Sequence, residues 1–332
     1  MFSHMIFYFL LLSSTTHVST AESQIARAAL IDHWNHVGVV HPPPFLLSKV
    51  STLSAWETTY LARLATHNSL STINFCVMAN LTCSLENTGS SVAISFTWYR
   101  SHYTNRDNNG RANMVRSGIF FRESELREGN AMYFPDIIDK LPRRLFLPRV
   151  VVSKIPFSMS RLDEIVEIFH ISKNSTIEHA ILNALNDCER SPISGETKRC
   201  LATAEDMVDF AVSSLGSRRL VVHTTKINNK SSYSPTVTIK SVKEISQPRE
   251  SLSCHQVIYP YLLYYCHSFP KVRIYEVNIM DMAASAIAIC HEDTSAWSPE
   301  HISFVELGPG PGKIEVCHWI YQNEMLWTID DK

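Results

Sequence analysis

Cys254-His255, Cys266-His267, Cys290-His291 and Cys317-His318 recur in the last quarter of the chain, separated by 10, 22 and 25 residues. Cysteine and histidine are uncommon residues, so four adjacent copies in one order form a pattern. Cys290-His291 and Cys317-His318 lie in strand-like runs, and neighbouring side chains on a strand point to opposite faces. In such a dipeptide the thiol and the imidazole therefore separate. The cysteines form one set, and in an oxidising compartment they suit two disulfides whose connectivity stays open. The histidines form a second set, free to converge on a metal. Imidazoles without thiolates suit Cu, Zn, Fe or Ni, and copper binds most tightly in the usual divalent series. Two other readings stand beside this one. In one, the cysteines staple a sheet and each imidazole fills a hydrogen-bonded polar gap. In the other, mixed Cys and His ligands hold a structural zinc. His301, in Ser298-Pro299-Glu300-His301, is a candidate auxiliary residue, as a fifth ligand or a proton shuttle.

Outward from the pairs, the pattern is strand-like. Arg219–Ile227, Thr236–Ile245, Val272–Ile279, Ser285–His291, His301–Leu307 and Lys313–Tyr321 read as strands. Gly308-Pro309-Gly310-Pro311-Gly312 reads as a turn. Upstream, the spacing is helical. Ser54-Ala55-Trp56-Glu57 and Ser175-Thr176-Ile177-Glu178 are capping boxes. Leu162, Ile165, Val166 and Phe169 share one helical face, and a helix from Thr203 to Leu215 stops at Gly216. The expected class is α+β, helical first and then a largely antiparallel, disulfide-stapled sheet.

The organisation expected is a signal peptide over 1–21, a partly helical region over 22–88, a polar linker over 89–116 and one mixed domain over 117–332. The signal rests on an apolar core, Ile6–Leu12, and a small-residue ending, Val18-Ser19-Thr20-Ala21. No stretch approaches the roughly 18 apolar residues of a membrane span. Secretion agrees with the even count of 8 cysteines, Cys76, Cys83, Cys188, Cys200, Cys254, Cys266, Cys290 and Cys317, all disulfide candidates. Cys76 and Cys83, seven apart, suit a local staple. Asn80, Asn174 and Asn229 head glycosylation sequons. A formal net charge of -2, without a long basic run, argues against nucleic acid as a partner. No nucleophile elbow, phosphate loop or His-Glu-x-x-His motif occurs.

The pairs and their spacing resemble the BURP domain of plant secreted proteins. Phe120-Phe121, Phe146-Leu147-Pro148-Arg149, Cys188-Glu189 with Lys198-Arg199-Cys200, and Ala288 through Trp297 are similar to further motifs of that family. His41-Pro42-Pro43-Pro44-Phe45 and Gly310-Pro311-Gly312-Lys313 resemble the polygalacturonase non-catalytic beta-subunit subfamily. Its long Phe-x-x-Tyr repeat array is reduced here to Phe96-Thr97-Trp98-Tyr99, and the 22-residue gap is a few residues short near Asp281–Ser285. The resemblance implies plant origin and a cell-wall or vacuolar-route location. It also implies Cu2+ on His255, His267, His291 and His318, with dioxygen as oxidant, as in BURP-domain peptide cyclases. Two functions follow as expectations. The first is a secreted copper-dependent cyclase that oxidatively cross-links Tyr or Trp side chains of a separate precursor peptide. The alternative is a non-catalytic wall protein that binds or localises polygalacturonase. The reduced repeat array tilts the expectation toward the cyclase.

Overall fold

The computed structural model describes residues 27–38, 44–84, 118–139, 141, 143–227, 236–246, 251–280, 282 and 284–330. The signal segment, the polar linker over 89–116 and Asn229 lie outside these residues.

Residues 27–37 are helical. Two of the longer helices that follow begin at the predicted caps Ser54 and Ser175. In α1, Ala55–Thr66, Ser54 Oγ accepts from the Glu57 N–H at 3.1 Å, while Glu57 accepts from the Ser54 N–H at 2.8 Å. This reciprocal box satisfies two donors that a helix start leaves unpaired. Ser54→Ala should lower stability by about 1 kcal/mol, read as a lower urea midpoint at unchanged m-value. Next come α2, Leu162–Ile168, and α3, Thr176–Glu189, which Ser175 caps. In α4, Ala204–Leu215, Thr203 caps the start, and Gly216 ends the helix at φ 61°, where a β-carbon would be strained. One apolar core joins Leu61 of α1 and Phe75 to Ile165 of α2, Ile181 of α3 and Tyr259. The amino-terminal helices thus share a core with the later chain.

The strands form two antiparallel sheets. The larger contains β1 (Phe120–Phe121), β2 (Ala131–Tyr133), β5 (Lys226–Ile227), β6 (Thr236–Ser246), β9 (Val272–Ile279), β10 (Ala284–His291) and β11 (Val316–Trp319). Its order is β1-β11-β10-β9-β6-β2, with β5 against β10. The smaller has the order β3-β8-β7-β12-β4, from Thr197–Leu201, Leu263–Ser268, Leu252–Val257, Met325–Ile329 and Leu220–His223. The α+β expectation is met.

Alternation along the strands explains how the sheets meet. In β12, Met325 and Trp327 enter the core beneath α4, while Leu326 turns the other way and joins Ile274, Ile287 and Ile289 of the larger sheet. In β10, Ala288 and Cys290 face a second core with Phe121 and Trp319, while Ile289 faces the layer between the sheets. β10 is buried on both faces, so its sequence reads as a nearly continuous apolar run.

One expected strand is a helix. Residues Ile302–Leu307 form α5, with His301 as its cap. Ile302, Ser303 and Phe304 are buried while Val305 is 69% exposed, a wrapping pattern rather than an alternating one. The strands β7, β8 and β12 were not foreseen. Each is buried along almost its whole length, and such runs carry no period-two signal.

Candidate functional site

The four Cys-His dipeptides sit on two pairs of neighbouring strands. Cys254 of β7 stands opposite Cys266 of β8, and Cys290 of β10 stands opposite Cys317 of β11. Both opposed pairs are disulfides. Cys188–Cys200 and Cys76–Cys83 form the other two, so no cysteine is free. The sulfurs lie in the outer cores of their sheets. The imidazoles, one residue on, face the other way. His255 lies diagonal to His267, and His291 diagonal to His318, a separation that long side chains span.

The imidazoles meet in two pairs. Nε2 of His255 lies 3.2 Å from Nε2 of His267, and Nε2 of His291 lies 3.3 Å from Nε2 of His318. The ring centroids of His255 and His318 are 6.2 Å apart, which brings the pairs into one pocket. Its cavity is about 300 Å³, and Phe120, Phe269, Trp297 and His301 also line it. Among the described residues, no three His, Cys, Asp or Glu side chains are arranged around one ion. The arrangement is therefore two pairs rather than one four-ligand cage.

Acceptors behind the rings fix their orientation. His255 Nδ1 lies 2.9 Å from Glu324, whose other oxygen accepts from the Tyr321 N–H at 2.9 Å. His267 Nδ1 lies 3.3 Å from Glu196. Glu196 also accepts from Arg190 at 2.6 and 2.7 Å, and from the Tyr265 hydroxyl at 2.6 Å. Burial alone would raise its carboxyl pKa, but the bonds from His267, Arg190 and Tyr265 prevail and hold it well below the usual range. A carboxylate only accepts, so His255 and His267 carry their protons on Nδ1 and present Nε2 lone pairs to each other. Two lone pairs at that separation repel unless a cation lies between them. Burial lowers the pKa of His267 to about 4, which keeps that ring neutral near pH 7. Paired imidazole nitrogens of this kind, 3.2 and 3.3 Å apart and without thiolate, are donors of the type that would suit a metal of the copper or zinc class.

The second pair is equally dry. His291 is 6% exposed and His318 6%. Burial, and then the neighbouring imidazoles, push the His291 pKa well below its ordinary value. Burial and then His255 push that of His318 to about 3. The Trp319 carbonyl lies 3.3 Å from His318 Nδ1, which again leaves Nε2 as the lone-pair atom. Glu324→Gln removes a charged orienting acceptor, so if the imidazoles hold a metal ion its affinity should fall about 10-fold or more in a chelator competition.

The structure thus brings together all four histidines singled out from the sequence, and His301 with them. It also adds Glu196, Glu324 and Trp297. Glu324 is fully buried and 69 residues from the histidine it orients, and no local pattern announces it. Asn80 and Asn174 are exposed, both with left-handed backbone. Among the described residues, no helix is long and apolar enough to cross a membrane.

Comparisons with known proteins identify the family. The family model described as BURP domain matches residues 119–329. The chain is 54% identical over 224 residues to the tomato polygalacturonase-1 non-catalytic subunit beta, covering 65% of this chain and 35% of that one. It is 52% identical, also over 224 residues, to the Arabidopsis thaliana polygalacturonase 1 beta-like protein 1, covering 65% of this chain and 36% of that protein. The chain therefore spans about a third of the length of these relatives. A rice protein, BURP domain-containing protein 16, is 37% identical over 341 residues, covering 95% of this chain and 93% of that one.

Proposed function

Because the chain belongs to the BURP domain family, we propose that it is an extracellular plant cell-wall protein of the polygalacturonase non-catalytic-subunit type, which binds or localises a polygalacturonase. The observation that carries this reading is the 54% identity to the tomato non-catalytic subunit. It supports the alternative drawn from the sequence better than the cyclase. Four disulfides suit an oxidising, extracellular setting. The test is co-elution of the purified, disulfide-intact protein with a plant polygalacturonase in gel filtration at physiological salt. A stable complex is expected, and separate elution at micromolar concentration would overturn the reading.

The pocket favours a second reading, a copper-dependent cyclase acting on a Tyr- or Trp-containing precursor peptide. The donor set fits copper: four nitrogens, no thiolate, and orienting acceptors behind His255, His267 and His318. Copper, when bound, would supply one-electron redox chemistry there. His255 with His267, and His291 with His318, would hold it. Phe120, Phe269 and Trp297 give the cavity apolar walls that seat a ring and exclude water. Each new bond removes two hydrogen atoms from the peptide, and dioxygen takes the two electrons and two protons as hydrogen peroxide. Incubation of the copper-loaded protein with Tyr- and Trp-bearing peptides in air is the test. A product lighter by two hydrogens supports this reading, and full copper loading without such a product ends it.

A further inference from the structure

We propose that His301 is a binding residue of the histidine pocket, donating Nε2–H to the oxygen of a phenol ring seated against Trp297 and Phe120. This deepens the second reading, on which it rests, by choosing among its aromatic guests.

His301 Nδ1 lies 3.3 Å from the Ser303 backbone nitrogen and 2.7 Å from the Ser303 hydroxyl. A backbone N–H only donates, so Nδ1 accepts and is unprotonated. The hydroxyl then donates to the same lone pair. Burial opposes the charged ring, since the His301 pKa is lowered to about 4. The ring is therefore neutral and carries its one proton on Nε2. In that tautomer Nε2 is a donor rather than a ligand. Nδ1 is occupied by the helix start, and a protonated Nε2 neither ligates a metal nor takes a proton. What remains is a donor. Among the described residues, none accepts a hydrogen bond from His301 Nε2.

The surroundings select the acceptor. Trp297 lies 4.6 Å from the His301 ring at 50°, and Phe120 lies 5.8 Å away at 74°. Trp297 also lies 5.0 Å from His291. These rings make an aromatic corner beside the second imidazole pair, in a cavity of about 300 Å³. Apolar ring walls favour a flat aromatic guest. The donor further favours a guest whose ring carries an acceptor. A phenol oxygen accepts, an indole N–H only donates, and a phenyl ring does neither. An indole would set its N–H against that of His301.

The test uses the full secreted chain with its disulfides intact and metal removed. N-acetyl-tyrosinamide, N-acetyl-phenylalaninamide and N-acetyl-tryptophanamide are titrated by NMR. The tyrosine amide should bind about fivefold more tightly than the phenylalanine amide, the ratio of one net hydrogen bond. In His301→Asn the side-chain oxygen keeps the cap but the Nε2–H is lost, so the ratio should fall to about one. Long-range 1H–15N correlation on histidine-labelled protein should show His301 protonated on Nε2 alone. Equal binding of all three amides, binding of none, an unchanged ratio in His301→Asn, or an Nδ1-protonated ring would each overturn the proposal. A backbone-carbonyl acceptor would give equal binding. A copper titration on the same preparation separates the failures. Copper uptake without tyrosine preference overturns this inference alone, and tyrosine preference without copper uptake overturns the copper reading alone.

Discussion

On the copper reading, replacing one histidine of each pair, His255→Ala with His291→Ala, should weaken copper binding by at least about 100-fold. Loss of a residue that merely orients a ligand costs 10–100-fold, and here a ligand itself is removed at each pair. The single imidazole left at either place, His267 or His318, cannot form a chelate. The effect should exceed that of Glu324→Gln, which keeps all four nitrogens. The variant also leaves Glu324 buried without its His255 donor, so stability should fall by about 1–3 kcal/mol. Copper titration against a competing chelator measures the first effect and urea denaturation the second. Affinity within about threefold of the unmodified protein, in a variant that remains folded, would mean that copper binds elsewhere.

Removing the disulfide between β10 and β11, as Cys290→Ala with Cys317→Ala, should cost about 2–5 kcal/mol of stability. The bridge closes a separation of 27 residues, against 7 for Cys76–Cys83. A longer closed loop restricts the unfolded chain more, so the Cys76–Cys83 double variant should lose less. The same bridge holds Cys290 opposite Cys317, and this register sets His291 diagonal to His318. On the copper reading, uptake at that pair should therefore weaken in the folded variant, although neither histidine has changed. Denaturation curves for the two double variants, run side by side, give the comparison. Equal losses would contradict the loop-length argument.

The separation of thiols from imidazoles was legible in the sequence because strand geometry is strict. Side chains alternate, so a Cys-His dipeptide on a strand must divide its two side chains between opposite faces. That divided the ligand types before any contact was known, and the cross-strand register then supplied the pairing that the sequence left open. The capped helices at Ser54 and Ser175 were equally legible, since each cap acts within its own turn. Other features were hidden for physical reasons. β7, β8 and β12 are buried on both faces and show no alternation. The segment after His301 reads as β-branched and apolar, yet the side chain of His301 caps it and it winds as a helix. Glu196 and Glu324 act across 71 and 69 residues, beyond any local pattern. The expected linker over 89–116 lies outside the described residues.

The proposed functions also weigh two kinds of support differently. Similarity to non-catalytic polygalacturonase subunits favours a wall protein. The dry, oriented imidazole pairs favour a metal-dependent pocket. The two are compatible, since association with a polygalacturonase would use the surface and copper the layer between the sheets.

The division of the pairs into a disulfide set and a nitrogen set is tested most directly by X-ray absorption at the copper edge of the loaded, oxidised protein. Imidazole nitrogen scattering with no sulfur neighbour is predicted. A sulfur scatterer at copper, or no copper taken up by the intact chain, would contradict it.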